Sequence, residues 1–84
     1  MGKATIIKVD GTKQEMSHRP TLEESQKIVG GYIELVRCSK GKTLVVNEEG
    51  LLHHLPMNPE AMKYYPYSLI VGNVILLEGW QSPG

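Results

Sequence analysis

Few residues of this sequence have the types and spacing that catalysis or metal binding requires. His53 and His54 are adjacent, and on the strand predicted over 51–55 they would point to opposite faces, so one zinc ion cannot easily bind both. Cys38 is the only cysteine, which excludes an intrachain disulfide and a cysteine-based zinc site. No serine lies in a nucleophile-elbow motif. We therefore expect no metal site, no cofactor and no catalytic residue, so the protein is not expected to be an enzyme.

Two features could instead bind a ligand. Arg37 lies on a predicted strand, on the same face as Ile33 and Leu35. It could grip a carboxylate or phosphate with both guanidinium nitrogens, or lie at the end of the sheet with its stem buried. The segment KYYPYS, residues 63–68, contains three of the five aromatic residues. Its tyrosines could form a stacking platform for a planar ligand, or Tyr64 or Tyr65 could cover the sheet while Tyr67 lies at the surface.

The clearest element that would position these residues is a helix over about 21–30. Thr21 is a good N-cap and Glu24 follows three residues later, which is the pattern of a capping box. Gly30 or Gly31 supplies the left-handed residue that ends a helix. Because these glycines follow the helix instead of preceding it, they are predicted to terminate it and not to bind a phosphate.

Strands and turns account for most of the remaining chain. The pair Asp10-Gly11 predicts a tight hairpin with positive φ at both residues. Gly50 is predicted to take a positive φ in the turn NEEG. Asn58 and Pro59 predict the start of a helical turn over about 59–65. The predicted strands are 4–9, 13–16, 32–38, 43–47, 51–55 and 69–79.

These elements predict an α+β fold with a five- or six-stranded, mostly antiparallel sheet, one main helix and one helical turn. We expect a single domain over 1–79 and a C-terminal tail over 80–84. Several strands carry apolar residues on both faces, whereas helices this short cannot cover a whole sheet face. The excess of apolar surface predicts a homo-oligomer.

Charge and hydropathy limit the classes of partner. Nine basic and nine acidic residues give a net charge of zero, which makes general nucleic-acid binding unlikely because such binding needs a positive field. The sequence has no apolar run of membrane-spanning length and no signal-peptide pattern. We therefore expect a cytoplasmic protein that does not associate with membranes.

Several segments resemble a known family in order and spacing. The segments LEESQKIVGGYIELV, LVVNEEGLLHHLPMN and IVGNVIL are similar to a family of small proteins, common in phages and prophages, that is catalogued as a domain of unknown function. The resemblance covers about residues 5–79 and implies an origin in a mobile element, but no activity. Of the polar residues on this pattern, folding explains Glu34 and Asn58 least, although Asn58 could cap its helix.

The expected function is that of a phage-encoded, non-enzymatic binding protein. By analogy with other small phage proteins, it would counter host defence in the host cytosol, by sequestering a small nucleotide-like ligand or by blocking a host protein. The candidate ligand-binding residues are Arg37, Lys8, Tyr65, Asn73, Glu34 and Asn58. The alternative is a nucleic-acid-binding accessory protein of phage replication or transcription.

Overall fold

A five-stranded antiparallel sheet with two short helices makes up the fold. The computed structural model describes residues 2–79, so the predicted tail over 80–84 lies outside the described residues. The strands are β1 (Lys3–Ile7), β2 (Lys13–Glu15), β3 (Ile33–Arg37), β4 (Lys42–Asn47) and β5 (Val74–Glu78), and the helices are α1 (Leu22–Val29) and α2 (Pro59–Met62). The strand order β2-β1-β5-β4-β3 places the last strand at the centre and leaves β2 and β3 as the two edges. The predicted α+β class is confirmed.

The predicted caps set the two ends of α1. The Thr21 hydroxyl accepts a hydrogen bond from the backbone N–H of Glu24 at 3.1 Å. In return, the Glu24 carboxylate accepts one from the backbone N–H of Thr21 at 2.9 Å. Gly30 ends the helix with a φ of 87°, a left-handed conformation that costs glycine little. The capping box and the glycine stop are therefore confirmed.

The hairpin between β1 and β2 is also confirmed, but its turn differs from the predicted one. Gly11 has a positive φ, whereas Asp10 does not. The loop is wider than a two-residue turn, because the backbone N–H of Lys8 donates to the carbonyl of Thr12 at 2.9 Å. Asp10 acts through its side chain, which accepts a hydrogen bond from the backbone N–H of Thr12 at 2.9 Å.

Residues 51–55 do not form the predicted strand. They form turns, in which the N–H of His53 donates to the carbonyl of Glu49 at 3.0 Å and the N–H of Leu55 to that of Gly50 at 3.1 Å. These local bonds use the backbone groups that a strand ladder would need. The prediction of a positive φ at Gly50 was also wrong. Gly50 is instead a close approach, because a Cβ there would lie 2.7 Å from Cγ2 of Val71.

Two other predicted elements are shorter in the structure. The predicted helical turn over 59–65 is helical only to Met62, after which the N–H of Tyr64 donates to the carbonyl of Ala61 at 3.0 Å. The predicted strand over 69–79 begins only at Val74. Residues before it pair elsewhere, since Met57 and Val71 form an isolated bridge.

Each face of the sheet is covered by a different part of the chain. Helix α1 covers one face, which we call the α1 face. The connection between β4 and β5, residues 48–73, packs on the other, and we call it the crossover segment and that side the crossover face. The core of the α1 face contains Ala4, Val29, Val45, Ile75 and Leu77. The core of the crossover face contains Ile7, Leu44, Val46, Ala61, Ile70, Val74 and Leu76.

The crossover segment bears on the predicted homo-oligomer. That prediction rested on apolar strand faces with no cover, and this segment buries residues such as Leu44 and Leu76 within one chain. A homo-oligomer thus stays a prediction with less support. Within residues 2–79, no helix has the length and hydropathy needed to cross a membrane.

Candidate functional site

A groove of about 540 Å³ lies on the crossover face, between the edge strand β3 and the end of the crossover segment. Its apolar lining includes the buried residues Val46, Ile70 and Val71 and the exposed side chains of Leu51 and Leu69. Polar groups come from Glu34 and Arg37 on β3, Asn47 and Glu48 at the end of β4, and Tyr65 and Ser68 on the crossover segment. An apolar surface with a few polar groups at its border is typical of a binding site.

One side of the groove is an edge of the sheet. Among residues 2–79, β3 has β4 as its single neighbour in the sheet. Just beyond the two ends of β3, the backbone N–H of Cys38 donates to the carbonyl of Lys42 at 2.8 Å, and the backbone N–H of Glu48 donates to the carbonyl of Tyr32 at 2.8 Å. Hydrogen-bonding direction alternates along a strand, so the backbone groups of Ile33, Leu35 and Arg37 point away from β4.

The side chains of β3 alternate between the two faces. Val36 packs with the core of the crossover face, whereas Ile33 and Leu35 pack with that of the α1 face. By the same alternation, Glu34 points to the crossover face and Arg37 to the α1 face. Leu35 and Arg37 nevertheless line the groove, which indicates that the groove extends to the edge of the sheet itself.

Two carboxylates stand close together on the groove side of this edge. Glu34 pairs in register with Val46. Glu48 comes directly after β4, and its backbone N–H donates to the carbonyl of Tyr32 at 2.8 Å, which continues the same register. Residues so related are diagonal neighbours on one sheet face. Both glutamates are exposed, and neither side chain has a hydrogen bond or an ion pair with another residue in the described part of the chain. The two carboxylates therefore add negative charge to the groove, and Arg37, which also lines it, adds one positive charge.

The groove brings together Glu34, Arg37 and Tyr65 of the predicted ligand-binding residues. Tyr65 is half-buried and packs against the core of the crossover face. Its ring lies edge-on to that of Tyr67, with 5.2 Å between centroids and 75° between planes, and Tyr67 is 82% exposed. The half-buried Tyr65 therefore covers part of the sheet while Tyr67 lies at the surface.

The groove does not include Lys8, Asn73 or Asn58. Lys8 lies in the turn of the first hairpin, and the carbonyl oxygen of the Asn73 side chain accepts a hydrogen bond from the N–H of Val9 at 3.1 Å. Asn58 is fully buried. Its amide donates to the carbonyls of Ile7 at 3.0 Å and Gly72 at 2.8 Å, and its oxygen accepts from the N–H of Ala61 at 3.1 Å. The fold thus accounts for both asparagines.

Sequence reasoning did not include Glu48, Leu51 or Leu69 in the site. Glu48 lies in the predicted turn NEEG, and its proximity to Glu34 depends on the pairing register of β3 and β4. Leu51 and Leu69 reach the groove through the path of the crossover segment. No local sequence signal marks either relation.

A second polar cluster lies on the crossover face near the other edge. Lys13 and Lys42 approach the ring of Tyr64, with their Nζ atoms 5.8 and 5.4 Å from its centroid. Each lysine also has a carboxylate partner, Glu60 at 3.3 Å and Glu78 at 3.7 Å. The hydrogen bond that Lys13 donates to the Glu60 carboxylate raises the pKa of Lys13. An anionic ligand would have to displace these carboxylates.

Two of the three histidines, His18 and His53, each have a carboxylate partner. His53 Nε2 lies 3.5 Å from Glu49 Oε1, and His18 Nε2 lies 2.8 Å from Glu24 Oε2. Over residues 2–79, no group of three or more histidine, cysteine, aspartate or glutamate side chains could hold a metal ion.

The chain is a small α+β protein with an apolar groove, bordered by polar groups, at one edge of its sheet. The model of the family described as "Domain of unknown function (DUF3846)" matches residues 3–82. The chain therefore belongs to this family. No curated protein and no solved structure matches the chain.

Proposed function

We propose that this chain is a non-enzymatic binding protein whose groove beside β3 binds a segment of another protein. The observation that carries the proposal is the combination, in one groove, of an apolar lining, a sheet edge and two carboxylates that form no ion pair within residues 2–79. Backbone groups, apolar contacts and charge together are what a polypeptide segment can complement.

The charges of the groove favour a protein over a nucleotide-like ligand. A phosphate in this groove would face two carboxylates, Glu34 and Glu48, against one guanidinium, Arg37, and like charges repel. Lys8 and Asn73, which were expected to help bind a nucleotide, lie outside the groove. Of the two expected modes of action, blocking a host protein is therefore better supported than sequestering a nucleotide.

Nucleic-acid binding, the alternative function, has less support. It would need a surface with an unbalanced positive charge. Lys13 and Lys42 lie together near Tyr64, but each is paired with a glutamate, which balances its positive charge. The net charge of the chain is zero.

A matched pair of leucines allows a direct test. Leu51 and Leu52 are neighbours on one turn and are 61% and 71% exposed, but Leu51 lines the groove and Leu52 does not. Neither Leu51→Glu nor Leu52→Glu should change the free energy of unfolding by more than about 0.5 kcal/mol, because both side chains are exposed.

The test uses these variants as baits in a lysate of the native host, followed by mass spectrometry. A protein bound by the wild type and by Leu52→Glu, but not by Leu51→Glu, is the expected result. Equal recovery by all three baits would contradict the proposal. Native mass spectrometry of the protein purified from cells tests the other mode of action, since a bound nucleotide-like mass lost on Arg37→Ala would favour sequestration.

We further propose that the partner is a host protein and that binding helps a phage to counter host defence in the host cytosol. The support is the resemblance of segments such as VGGYIE and NEEG to a phage-associated family. In a defended bacterial host, expression of the wild type should then raise the number of phage plaques, and Leu51→Glu should not. No rise with the wild type would contradict this role.

A further inference from the structure

We propose that the bound segment is an extended peptide that pairs with the outer edge of β3 and places a lysine or arginine side chain between Glu34 and Glu48. This inference rests on the proposed function and specifies its partner. It follows from the backbone of the edge strand, the shape of the groove, and the charges along it.

The backbone of β3 is available for pairing. The outward groups of Ile33 and Leu35 face away from β4, and the strand order places no strand of the described chain beyond them. Proteins protect such edges with prolines, lysines, bulges or very short strands. β3 is five residues long with the sequence IELVR, and it contains no proline, lysine or glycine. It is thus an edge to which an extended peptide can add as a strand.

The groove offers contacts to the side chains of such a strand. Successive side chains of an added strand point to opposite faces. Those on the crossover face would lie beside Glu34 and Val36 and towards Leu69 and Leu51, which are 42% and 61% exposed. The peptide that fits has apolar residues at every second position and a basic residue among them.

The charges select the basic residue. Glu34 and Glu48 are diagonal neighbours on the crossover face and have no cationic partner in residues 2–79. A lysine or arginine side chain placed between them would form charge-assisted hydrogen bonds. An acidic or neutral residue at that position would leave the repulsion of the two carboxylates unrelieved.

A second copy of this chain is a poorer occupant of the same edge. Two β3 strands related by a two-fold axis must pair outward-facing residues with outward-facing residues, which are the odd-numbered ones. Centred on Leu35, this pairing places Glu34 opposite Val36 of the second copy. The backbone of Arg37 faces outward and that of Glu34 faces β4, so Arg37 of one copy cannot lie directly opposite Glu34 of the other. Self-pairing therefore does not supply the cation.

The experiment uses a displayed library of random nine-residue peptides, selected on the wild type and counter-selected on Leu51→Glu. The expected peptides carry apolar residues at alternate positions and one lysine or arginine. Selection on Glu48→Lys should enrich acidic residues at that position instead, because the charge it faces is reversed. Glu49→Lys is the matched control, since Glu49 is adjacent and does not line the groove, and it should select the same peptides as the wild type.

Amide exchange measured by NMR then tests the pairing itself. With the best peptide bound, the amides of Ile33 and Leu35 should exchange at least about tenfold more slowly, because each would donate to the peptide. The outward amides of the other edge, Lys13 and Glu15, should not change. N-methylation of the peptide amides that face β3 should weaken binding by about tenfold or more, which is about 1.4 kcal/mol or more, because the hydrogen bonds that these amides donate are lost.

Each contrary outcome overturns a different statement. Peptides that need Leu51 but leave the exchange of Ile33 and Leu35 unchanged would overturn strand pairing and leave the proposed function standing. Strand-paired peptides without a basic residue would overturn the charge assignment. No peptide enriched on the wild type over Leu51→Glu would overturn the proposed function and this inference together. A dimer in which Ile33 and Leu35 are protected before any peptide is added would show that a second copy occupies the edge.

Discussion

The two edges of the sheet are built differently. The β2 edge has three residues, Lys13, Gln14 and Glu15, all of them exposed. The β3 edge has five, and Ile33, Leu35 and Val36 are half-buried. Short, charged edge strands resist pairing with other chains, whereas longer apolar ones permit it. The difference indicates that the sheet is closed to strand addition at β2 and open to it at β3.

The β3 edge is also supported from both sides. On the α1 face, Ile28 and Val29 of the helix pack in one cluster with Ile33 and Leu35. On the crossover face, the crossover segment packs over Val46 next to β3 and forms the far wall of the groove. A rigid edge loses less conformational entropy when it binds a strand than a mobile one does. Single substitutions can weaken these supports one at a time.

The largest effect is expected from Asn58→Ala. The Asn58 side chain joins the crossover segment to the sheet, and its removal leaves the buried carbonyls of Ile7 and Gly72 and the N–H of Ala61 without this partner. We expect a loss of about 3 kcal/mol in the free energy of unfolding, measured by urea denaturation.

Asn73→Ala is the matched control. The Asn73 side chain accepts one hydrogen bond, from the backbone N–H of Val9, and the residue is half-buried. Its removal should cost about 1 kcal/mol. Equal losses in the free energy of unfolding from the two substitutions would show that the hydrogen bonds of Asn58 do not hold the crossover segment to the sheet.

These asparagines also show which features of the structure could be predicted from the sequence. The capping role of Asn58 was predicted because Pro59 follows it directly, and helix α1 was predicted because Thr21, Glu24 and Gly30 lie within ten residues of one another. The bonds from Asn58 to Ile7 and Gly72 span 51 and 14 residues, and no local pattern predicts such distances. Local signals thus gave the elements and their caps, whereas the ties between elements depend on tertiary structure.

The same limit explains the errors around the groove. LLHHL, residues 51–55, is an apolar run without a clear period, and such a run does not distinguish a buried strand from a turn packed under a loop. Arg37 was selected because it shares a strand face with Ile33 and Leu35, and Glu34 because it is a polar residue of the family pattern that folding explains least. Glu48 and Leu69 were missed because their proximity to β3 comes from strand register and from the path of the crossover segment.

The next largest effect is expected from a substitution of Gly50, near the start of the crossover segment. An alanine Cβ would lie 2.7 Å from Cγ2 of Val71, and forcing an extra carbon into a packed site costs about 2 kcal/mol. Urea denaturation should show this loss for Gly50→Ala. In a Val71→Ala background the added cost should nearly vanish, because Cγ2 is gone. An unchanged cost in that background would place the strain elsewhere.

Thr21→Ala weakens the support on the α1 face. It removes the hydroxyl that accepts from the backbone N–H of Glu24, and loss of such a cap costs about 1 kcal/mol. Thr21→Ser keeps the hydroxyl, and serine is at least as good an N-cap as threonine, so it should leave the free energy of unfolding nearly unchanged. If α1 supports the β3 edge, amide exchange should accelerate more at Val36 than at Gln14 of β2. Equal acceleration would mean that the two edges share one unfolding event.

The smallest effect is expected from Glu24→Gln, which sharpens the same point without removing the cap. The hydrogen bond from the backbone N–H of Thr21, and then the one from His18, lower the pKa of Glu24 below its ordinary value of 4.5. A lowered pKa in the folded state adds stability above pH 4.5, and this stability is lost as the pH falls through the folded-state pKa. Glutamine can still accept the bond from Thr21 but does not titrate. From pH 6 down to pH 3, the urea midpoint should therefore fall less in Glu24→Gln than in the wild type. Parallel pH profiles of the two proteins would show that the ionised carboxylate adds nothing to the stability of the folded state.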